Sequence, residues 1–314
     1  MYDVIVVGGG HAGCEAASAA ARMGANTALI TSDTKTIGEM SCNPAIGGLA
    51  KGTLVREIDA LDGLMAKAAD QGGIQFRVLN RSKGPAVRGP RAQQDRQLYK
   101  ESIQRLLVEQ SNLSILPGMV EDLIVEKHGK ISCVKGVVLS DGSKISAGAV
   151  VLTTGTFLRG KIYIGQEQFG AGRIGDKPAI GMAKTLESQG FKMGRLKTGT
   201  PPRIDGTTIN WEILEIQAGD NPPEPFSYLT NKLKNDQICC HITHTNEKTH
   251  EIILSDLKKT NYEGFISIEP HIASVFHEED NEDIDKETKE KNQLDTYSTG
   301  LELNKPSSLS LIHI

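Results

Sequence analysis

The sequence has few cysteines, no long apolar run and no targeting segment ahead of its first apolar stretch. Its five cysteines, at positions 14, 42, 133, 239 and 240, form no CxxC pair and no spacing typical of a metal site. No run of about 18 apolar residues that would span a bilayer is found, and no apolar or Arg-rich leader precedes the first strand. We therefore expect a reduced, intracellular protein that is not embedded in a membrane.

The excess of one sign of charge over the other is also small. The formal net charge is only −4, which excludes a general electrostatic attraction of the whole chain to nucleic acid. Two stretches depart from this average, because 83–105 carries six basic and two acidic residues, whereas 278–290 is strongly acidic. Any phosphate-binding face must therefore be local.

Glycine, in contrast, is abundant. The chain has 33 glycines in 314 residues, with 38% hydrophobic and 24% charged residues, which is typical of a globular protein of about two domains. The first glycines form the run Gly8-Gly-Gly-His-Ala-Gly13 between an apolar strand at 3–7 and an Ala-rich helix predicted over 14–23. A second apolar run at 27–31 completes a β-α-β unit.

In this context the G-x-G-x-x-G run indicates a dinucleotide-binding loop of the Rossmann type. Gly8 would make the tight turn, Gly10 would let the backbone approach a pyrophosphate, and Gly13 would pack the helix on the strand. A glycine turn without a ligand is the alternative. The acid that usually binds the ribose is absent, since Thr31 stands at the end of the second strand with Asp33 two residues later. How a ribose would be held stays open.

The rest of the chain alternates helices and strands. Helices are predicted over 57–69 and 94–110, with a Gly/Pro/Arg loop between them. The strands of a small β-meander follow over 120–156 and lead back to the main sheet. A further helix is predicted over 180–189.

The chain divides into three parts on this basis. Residues 1–194 form the dinucleotide-binding domain, 195–269 are part of an inserted domain, and 270–314 are a disordered or non-native tail, since they have scarcely any periodic apolar residues. The last six residues, 309–314, can be encoded by the transposon-end adapter of a sequencing library. We take this as a hypothesis that the natural protein differs there and is longer, and a genomic stop codon directly after Ile314 would refute it.

Five longer segments carry a more specific signal than the glycine run. They are Met40-Ser-Cys-Asn-Pro-Ala-Ile-Gly-Gly48 with Lys51-Gly52; Glu57-Ile-Asp-Ala-Leu-Asp-Gly-Leu-Met65; Lys83-Gly-Pro-Ala-Val-Arg88 with Arg91-Ala-Gln and Asp95-Arg96; Gly194-Arg-Leu-Lys-Thr-Gly-Thr-Pro-Pro-Arg203; and Thr243-His-Thr-Asn-Glu-Lys-Thr249. Together they resemble the GidA or MnmG family, flavoproteins that modify the wobble uridine of certain tRNAs. The resemblance covers about residues 1–265.

This resemblance implies a fold class and an activity. The fold would be α/β, a Rossmann-like FAD-binding domain with a β-meander and the start of an inserted α+β domain. FAD would be the cofactor, with NADH and 5,10-methylenetetrahydrofolate as co-substrates. Together with an MnmE-type GTPase, the family adds an aminomethyl or carboxymethylaminomethyl group to C5 of the wobble uridine of tRNA. Members are homodimers, and the location would be cytoplasmic, or the mitochondrial matrix in a eukaryote.

Cys42 is the expected catalytic residue. Attack of a thiolate at C6 of a uracil ring makes C5 nucleophilic. The turn at Gly47 and Gly48 would place Cys42 near a helix start, where the pKa of a thiol falls. An inert buried cysteine is the alternative.

Other site residues are expected beside Cys42. Cofactor contacts are expected at Gly8, Gly9, Gly10, His11, Ala12, Gly13, Val120, Gly155 and Ala179, with His11 as a structural donor and not a base. Contacts to phosphates of tRNA or flavin are expected from seven basic residues, for which a solvated basic face with internal ion pairs is the alternative: Lys83, Arg88, Arg91, Arg96, Arg195, Lys197 and Arg203. No metal is expected, because His241, His244 and His250 lack a cysteine or acid at ligand spacing.

The sequence departs from the family after Tyr262. Where the family has Gly-Pro-x-Tyr-Cys-Pro-Ser-Ile-Glu, with a second functional cysteine, this chain reads Ile266-Ser-Ile-Glu-Pro-His271. The later flavin-closing segment and the C-terminal helical domain do not follow. We therefore expect this chain to be an impaired or inactive fragment that holds FAD weakly if at all. The alternatives are a folate-dependent tRNA uridine C5-methyltransferase of the TrmFO type and a flavin-free binding module.

Overall fold

The computed structural model describes residues 1–41, 43–129, 131–164, 167–195 and 204–259, together with one short strand near the end. The strands are β1 (Tyr2–Val7), β2 (Thr27–Thr31), β3 (Ala45–Gly47), β4 (Gly73–Leu79), β5 (Gly89–Gln94), β6 (Leu113–Pro117), β7 (Val120–His128), β8 (Ile131–Leu139), β9 (Lys144–Leu152), β10 (Lys161–Ile164), β11 (Glu167–Gly170), β12 (Glu215–Gln217), β13 (Cys240–His244) and β14 (Leu309–Ile312). The helices are α1 (His11–Arg22), α2 (Leu49–Ala60), α3 (Met65–Gly72), α4 (Arg96–Val108), α5 (Gly181–Ser188) and α6 (Glu247–Lys259). None of these helices is long and apolar enough to cross a membrane.

A six-stranded sheet in the order β6-β2-β1-β9-β8-β7 organises the fold. Strands β6, β2, β1 and β9 run parallel, and α1 connects β1 to β2, which confirms the predicted β-α-β unit. Side chains alternate along β1, so that Val6 packs in one buried cluster while Ile5 and Val7 pack in another. The parallel part of the sheet is therefore covered on both faces, which explains its continuous apolar strands.

The predicted β-meander is also confirmed. Strands β7, β8 and β9 pair antiparallel, with a turn at Gly142, whose φ is +84°. Strand β9 belongs to both parts of the sheet, because 144–146 pair with β8 and 147–152 pair with β1. The meander thus brings the end of β9 alongside the end of β1.

The prediction of a single helix over 57–69 is wrong, because this stretch contains the end of α2, a break and the start of α3. Asp62 takes a left-handed conformation with φ +66° just after α2. The carboxylate of Glu15, on α1, accepts hydrogen bonds from the amides of Leu64 (2.8 Å) and Met65 (2.6 Å). A distant residue therefore caps the start of α3, which helical periodicity does not reveal.

The prediction of a Gly/Pro/Arg loop before α4 is also wrong, because this stretch contains β4 and β5. These strands join β3 in an antiparallel sheet of order β3-β5-β4. The cross-strand pair Phe76 and Ala92 is buried in the core, whereas the opposite face of both strands is polar. Strand β5 reads Gly-Pro-Arg-Ala-Gln-Gln and lacks the β-branched and aromatic residues typical of strands.

The two later helices match their predictions. The helix expected over 94–110 is α4, whose N-cap Asp95 accepts hydrogen bonds from the amides of Gln97 and Leu98, both at 2.9 Å. The helix expected over 180–189 is α5. The loop-rich stretch before α5 contains the hairpin of β10 and β11.

The described part of the predicted inserted segment packs on the small sheet. Gln75 of β4 donates a hydrogen bond to the carbonyl of Gln217 (2.7 Å), and the buried Asp70 carboxylate accepts from the amides of Phe226 (2.6 Å) and Ser227 (2.9 Å). Phe226 is fully buried in the main core. Strand β13 pairs with β12 and, on its other side, with β14, while the rest of the 270–314 tail lies outside the described residues.

Candidate dinucleotide-binding site

The glycine loop lies between the end of β1 and the start of α1, at the carboxyl edge of the parallel strands. Gly8 has φ +107°, and a Cβ there would lie 2.5 Å from the carbonyl oxygen of Thr153. A Cβ on Gly13 would lie 1.8 Å from the carbonyl oxygen of Gly8. Both positions therefore require glycine, for the turn and for close packing of the helix, as predicted.

Gly10 is different, because a Cβ there would meet no atom within 4 Å. It is the N-cap of α1, no side chain caps the helix, and no acidic residue lies in its first turn. The start of α1 therefore has room beside Gly10, and no side chain caps its first amides. This geometry fits a diphosphate, so the loop residues Gly8 to Gly13 have the structure that a dinucleotide site requires.

The end of β9 completes this edge of the sheet. The Thr153 hydroxyl donates to the carbonyl of Val7 (2.8 Å) and is 3.1 Å from that of Gly8, and the Thr153 amide also binds Val7. Gly155, with φ +53°, turns the chain away two residues later. The structure therefore brings Gly155 to the same edge as the glycine loop, as a cofactor contact there requires.

Val120 and Ala179 lie deeper in the fold. Val120 begins β7 and is buried in the cluster that also contains Met182. The Ala179 amide donates to the carbonyl of Phe157 at 2.8 Å, and its carbonyl accepts from the amide of Arg159 at 3.0 Å. Their role in cofactor binding stays a prediction.

His11 is a neutral group at the mouth of α1. Burial, and secondarily the charge of Lys51, lower its pKa from 6.5 to about 4. Its ring lies 5.5 Å from that of the buried Tyr99, at an angle of 35°. Its Nε2 atom is buried without a hydrogen-bond partner in the described part of the chain. A ring nitrogen with so low a pKa is a weak base, so His11 fits the predicted structural donor better than a general base.

No acid is available at the end of β2 to bind a ribose in the usual way. Thr31 is buried, and its Oγ1 would lie 3.0 Å from a Cβ on Gly9. Asp33 caps a short turn by accepting from the amide of Lys35 at 2.8 Å. Asp33 thus has a local role at this turn, and Thr31 is part of the buried interior.

Cys42 lies outside the described residues, but the chain on both sides of it is well anchored. Before it, Glu39 forms ion pairs with Arg96 (3.3 Å) and Lys100 (3.1 Å), and Arg96 also binds the Met40 carbonyl. After it, the Pro44 carbonyl accepts from the amide of Gln94 at 2.7 Å. The segment then turns at Gly47 and Gly48, with φ +99° and +114°, and α2 begins.

Five of the seven predicted phosphate contacts fall within the described residues. Arg96 is engaged with Glu39, Arg88 donates to the carbonyl of Arg81, and exposed Arg195 donates to the carbonyl of Arg159 at 3.4 Å. For Arg96 this supports the alternative of an internal ion pair. Of the others, Lys83 is exposed, Arg91 lies on β5, and Lys197 and Arg203 fall outside the described residues.

Sequence reasoning missed several residues of the site. Tyr99 was hidden in the helix pattern, although one aromatic on the buried face of α4 is a signal for a specific contact. Lys51 stood in a quoted segment without a role; its pKa is lowered by partial burial and by Arg91, although part of its side chain reaches solvent. Thr153 stood at the end of a predicted strand, where parallel strands place functional side chains.

Two of the three histidines considered as metal ligands make other contacts. His241 packs edge-on against Trp211, with ring centroids 5.0 Å apart, and His250 Nε2 is 2.9 Å from the Thr245 hydroxyl. Among the described residues, no three His, Cys, Asp or Glu side chains are grouped closely enough to hold a metal.

A glycine loop that turns into an uncapped helix at the carboxyl edge of a β-α-β sheet defines a Rossmann-type dinucleotide-binding protein. The family model described as glucose inhibited division protein A matches residues 3–293. The chain belongs to this family. The match extends beyond the 1–265 expected from the quoted segments.

Relatives of the chain agree with this family. The chain is 60% identical over 267 residues to the tRNA uridine 5-carboxymethylaminomethyl modification enzyme MnmG of Granulibacter bethesdensis, covering 85% of this chain and 42% of that protein. It is 50% identical to the MnmG of Thermodesulfovibrio yellowstonii, covering 100% of this chain and 51% of that protein. The chain thus spans about half the length of the curated relatives it matches.

A solved structure agrees in fold. The form I crystal structure of Aquifex aeolicus GidA is 48% identical and superposes with a TM-score of 0.80, covering 86% of this chain and 46% of that one. The predicted α/β fold is therefore confirmed for most of the chain.

Proposed function

We propose that this chain is part of an FAD-dependent enzyme that modifies a uridine of tRNA. The observation that carries the proposal is the uncapped start of α1 behind a glycine loop, in a chain of the GidA family. The relatives that match over most of this chain are named as tRNA uridine 5-carboxymethylaminomethyl modification enzymes. FAD would supply electron transfer between the reactants.

The described residues would bind and orient the flavin nucleotide. The amides at the start of α1 would bind its diphosphate, and Gly10 leaves the space that the phosphates need. Neutral His11 would donate a hydrogen bond at the mouth of the helix without adding charge. Thr153 holds the end of β9 against the loop, so that the site is rigid before the cofactor binds.

The finer parts of the proposal are supported by the family resemblance. They are NADH and 5,10-methylenetetrahydrofolate as co-substrates, an MnmE-type GTPase as partner, a homodimer as the assembly and the cytoplasm as the location. Cys42 would attack C6 of the uracil ring. The ion pairs of Glu39 with Arg96 and Lys100 would hold the chain just before Cys42 in place.

Deletion of the natural gene, followed by mass spectrometry of tRNA nucleosides, tests the activity. We expect the carboxymethylaminomethyl or aminomethyl group at the wobble uridine to disappear, and the intact gene to restore it. Loss of a 5-methyl group instead would identify the TrmFO-type methyltransferase. A Cys42→Ser gene that restores the modification fully would remove Cys42 from the mechanism.

A further inference from the structure

Lys51 is a cation in surroundings that disfavour positive charge. It is the third residue of α2, whose N-cap Gly48 has no side-chain cap among the described residues and whose first turn has no acidic residue. The positive end of the helix dipole therefore acts on a positive side chain without compensation. Arg91 adds to this repulsion, because burial and then the charge of Arg91 lower the pKa of Lys51.

No acid relieves this repulsion. Among the residues that the structure describes, no carboxylate lies within ion-pair distance of the Lys51 ammonium. Glu39, in the segment before α2, is paired with Arg96 and Lys100. Glu15, on α1, accepts the amides at the start of α3. Side chains held against local electrostatics in this way cluster at binding sites, where the ligand supplies the missing charge.

Lys51 also acts on the start of α1. Its charge contributes to the lowered pKa of His11, the first residue of that helix. His11 follows Gly10, the open N-cap where the diphosphate would lie. The charge of Lys51 is therefore felt at the glycine loop, and its flexible four-carbon stem can carry the ammonium further towards it.

The start of α2 is fixed in place and has room beside it. A Cβ on Gly48, as on Gly10, would meet no atom of the described residues within 4 Å. The Gly48 amide donates to the carbonyl of Pro90 at 3.0 Å, and a Cβ on Gly52 would lie 2.5 Å from the same oxygen. The backbone of this turn is thus packed on β5, whereas part of the Lys51 side chain reaches solvent. An anion from solution can therefore reach Lys51.

We propose that Lys51 binds the diphosphate of the flavin nucleotide as a side-chain cation, in addition to the backbone amides of α1. The inference rests on the proposed function, because that function supplies the dinucleotide. A diphosphate carries the negative charge that Lys51 lacks as a partner, and its oxygens accept hydrogen bonds from an ammonium. The amides of α1 contribute partial charges, whereas Lys51 contributes a full charge and joins the start of α2 to the cofactor.

Calorimetric titration of the 314-residue chain with ADP, which carries a diphosphate without the flavin, tests the inference. We expect Lys51→Gln to weaken ADP binding about tenfold and to reduce its dependence on salt concentration. Lys51→Arg keeps the charge and should bind ADP within about threefold of the parent. The matched control Lys144→Gln removes an exposed ammonium at the start of β9, the end of that strand remote from the glycine loop, and should bind ADP like the parent.

Two measurements on the ligand-free chain separate a binding role from a structural one. Lys51→Gln should unfold at the temperature of the parent or higher, because it relieves repulsion. It should also raise the pKa of His11, measured by NMR of its ring protons, because the charge that disfavours the imidazolium is removed. Lys144→Gln should leave that pKa unchanged. If Lys51→Gln is less stable than the parent, Lys51→Arg should restore both stability and ADP binding.

Four results would overturn the inference. They are equal ADP affinity in Lys51→Gln and the parent, ADP that binds no chain, inorganic phosphate that binds as tightly as ADP, and a pKa of His11 that does not change in Lys51→Gln. The gene deletion described above tests the proposed function without ADP. Loss of the wobble modification together with equal ADP affinities would therefore count against Lys51 alone, and an unchanged tRNA would count against the proposed function.

Discussion

The glycine loop and the polar face of β4 and β5 owe their structures to different properties of the chain. The loop uses backbone amides, a helix dipole and the absence of side chains. The β4–β5 face uses side chains whose positions depend on strand register. The loop has no room for an added atom at Gly8 or Gly13, whereas the polar face of β4 and β5 depends on the pairing of two strands.

The largest loss of stability is expected when one methyl group is added to the glycine loop. Gly13→Ala should lose about 3 kcal/mol of stability or more, because its Cβ would lie 1.8 Å from the Gly8 carbonyl oxygen. Gly10→Ala is the matched control, since its Cβ would meet nothing within 4 Å. Chemical denaturation measures both, and equal stabilities would contradict the packing described for the loop.

The next effect is the pH dependence that His11 contributes. Its folded pKa of about 4 lies below the unfolded value of 6.5, so its contribution is fully present above pH 6.5 and is lost as pH falls towards 4. The loss should reach roughly 3 kcal/mol at pH 4. Urea denaturation above pH 6.5 and at pH 4, on the parent chain and on His11→Gln, isolates the contribution of His11 to stability. A parallel pH profile in the variant would refute the buried neutral imidazole.

A smaller effect is expected where the inserted segment joins α3, which carries Asp70. Asp70→Asn removes a carboxylate that accepts two amides of the segment, and should cost about 2 kcal/mol. Burial raises the pKa of Asp70, so removing its charge offsets part of the loss. Asp62→Asn, at an exposed ion pair, is the control and should change stability by less than about 0.5 kcal/mol. Thermal unfolding of both variants measures these effects. Equal shifts of the unfolding temperature would contradict the buried contact between Asp70 and the inserted segment.

The smallest effect concerns the anchor before Cys42. Glu39→Gln removes two half-buried ion pairs and should cost about 1 kcal/mol at low salt, less at high salt. Glu101→Gln, which loses only an exposed contact with Gln97, is the comparison. Denaturation at two salt concentrations gives the answer, and a salt-independent loss would show that the ion pairs contribute little.

The difference between local backbone geometry and contacts between distant segments explains which features could be predicted from the sequence. The strand at 27–31 was predicted to the residue, and α1 and β1 closely, because the glycine run imposes its backbone locally. The break at Asp62 was not, since the cap of α3 comes from Glu15 on another helix. The cross-strand pairing of Arg77 with Arg91 was also hidden, because strand register across β4 and β5 is a long-range property. Cys42 and the basic residues at 197 and 203 stay predictions.

Titration of FAD into the 314-residue chain and into Gly10→Ala, followed by quenching of flavin fluorescence, tests the central claim most directly. We predict weak but saturable binding to the parent chain, competition by ADP, and at least about tenfold weaker binding to a variant that unfolds like the parent. Equal affinity for FAD in Gly10→Ala and in the parent chain would contradict the assignment of the glycine loop to the diphosphate.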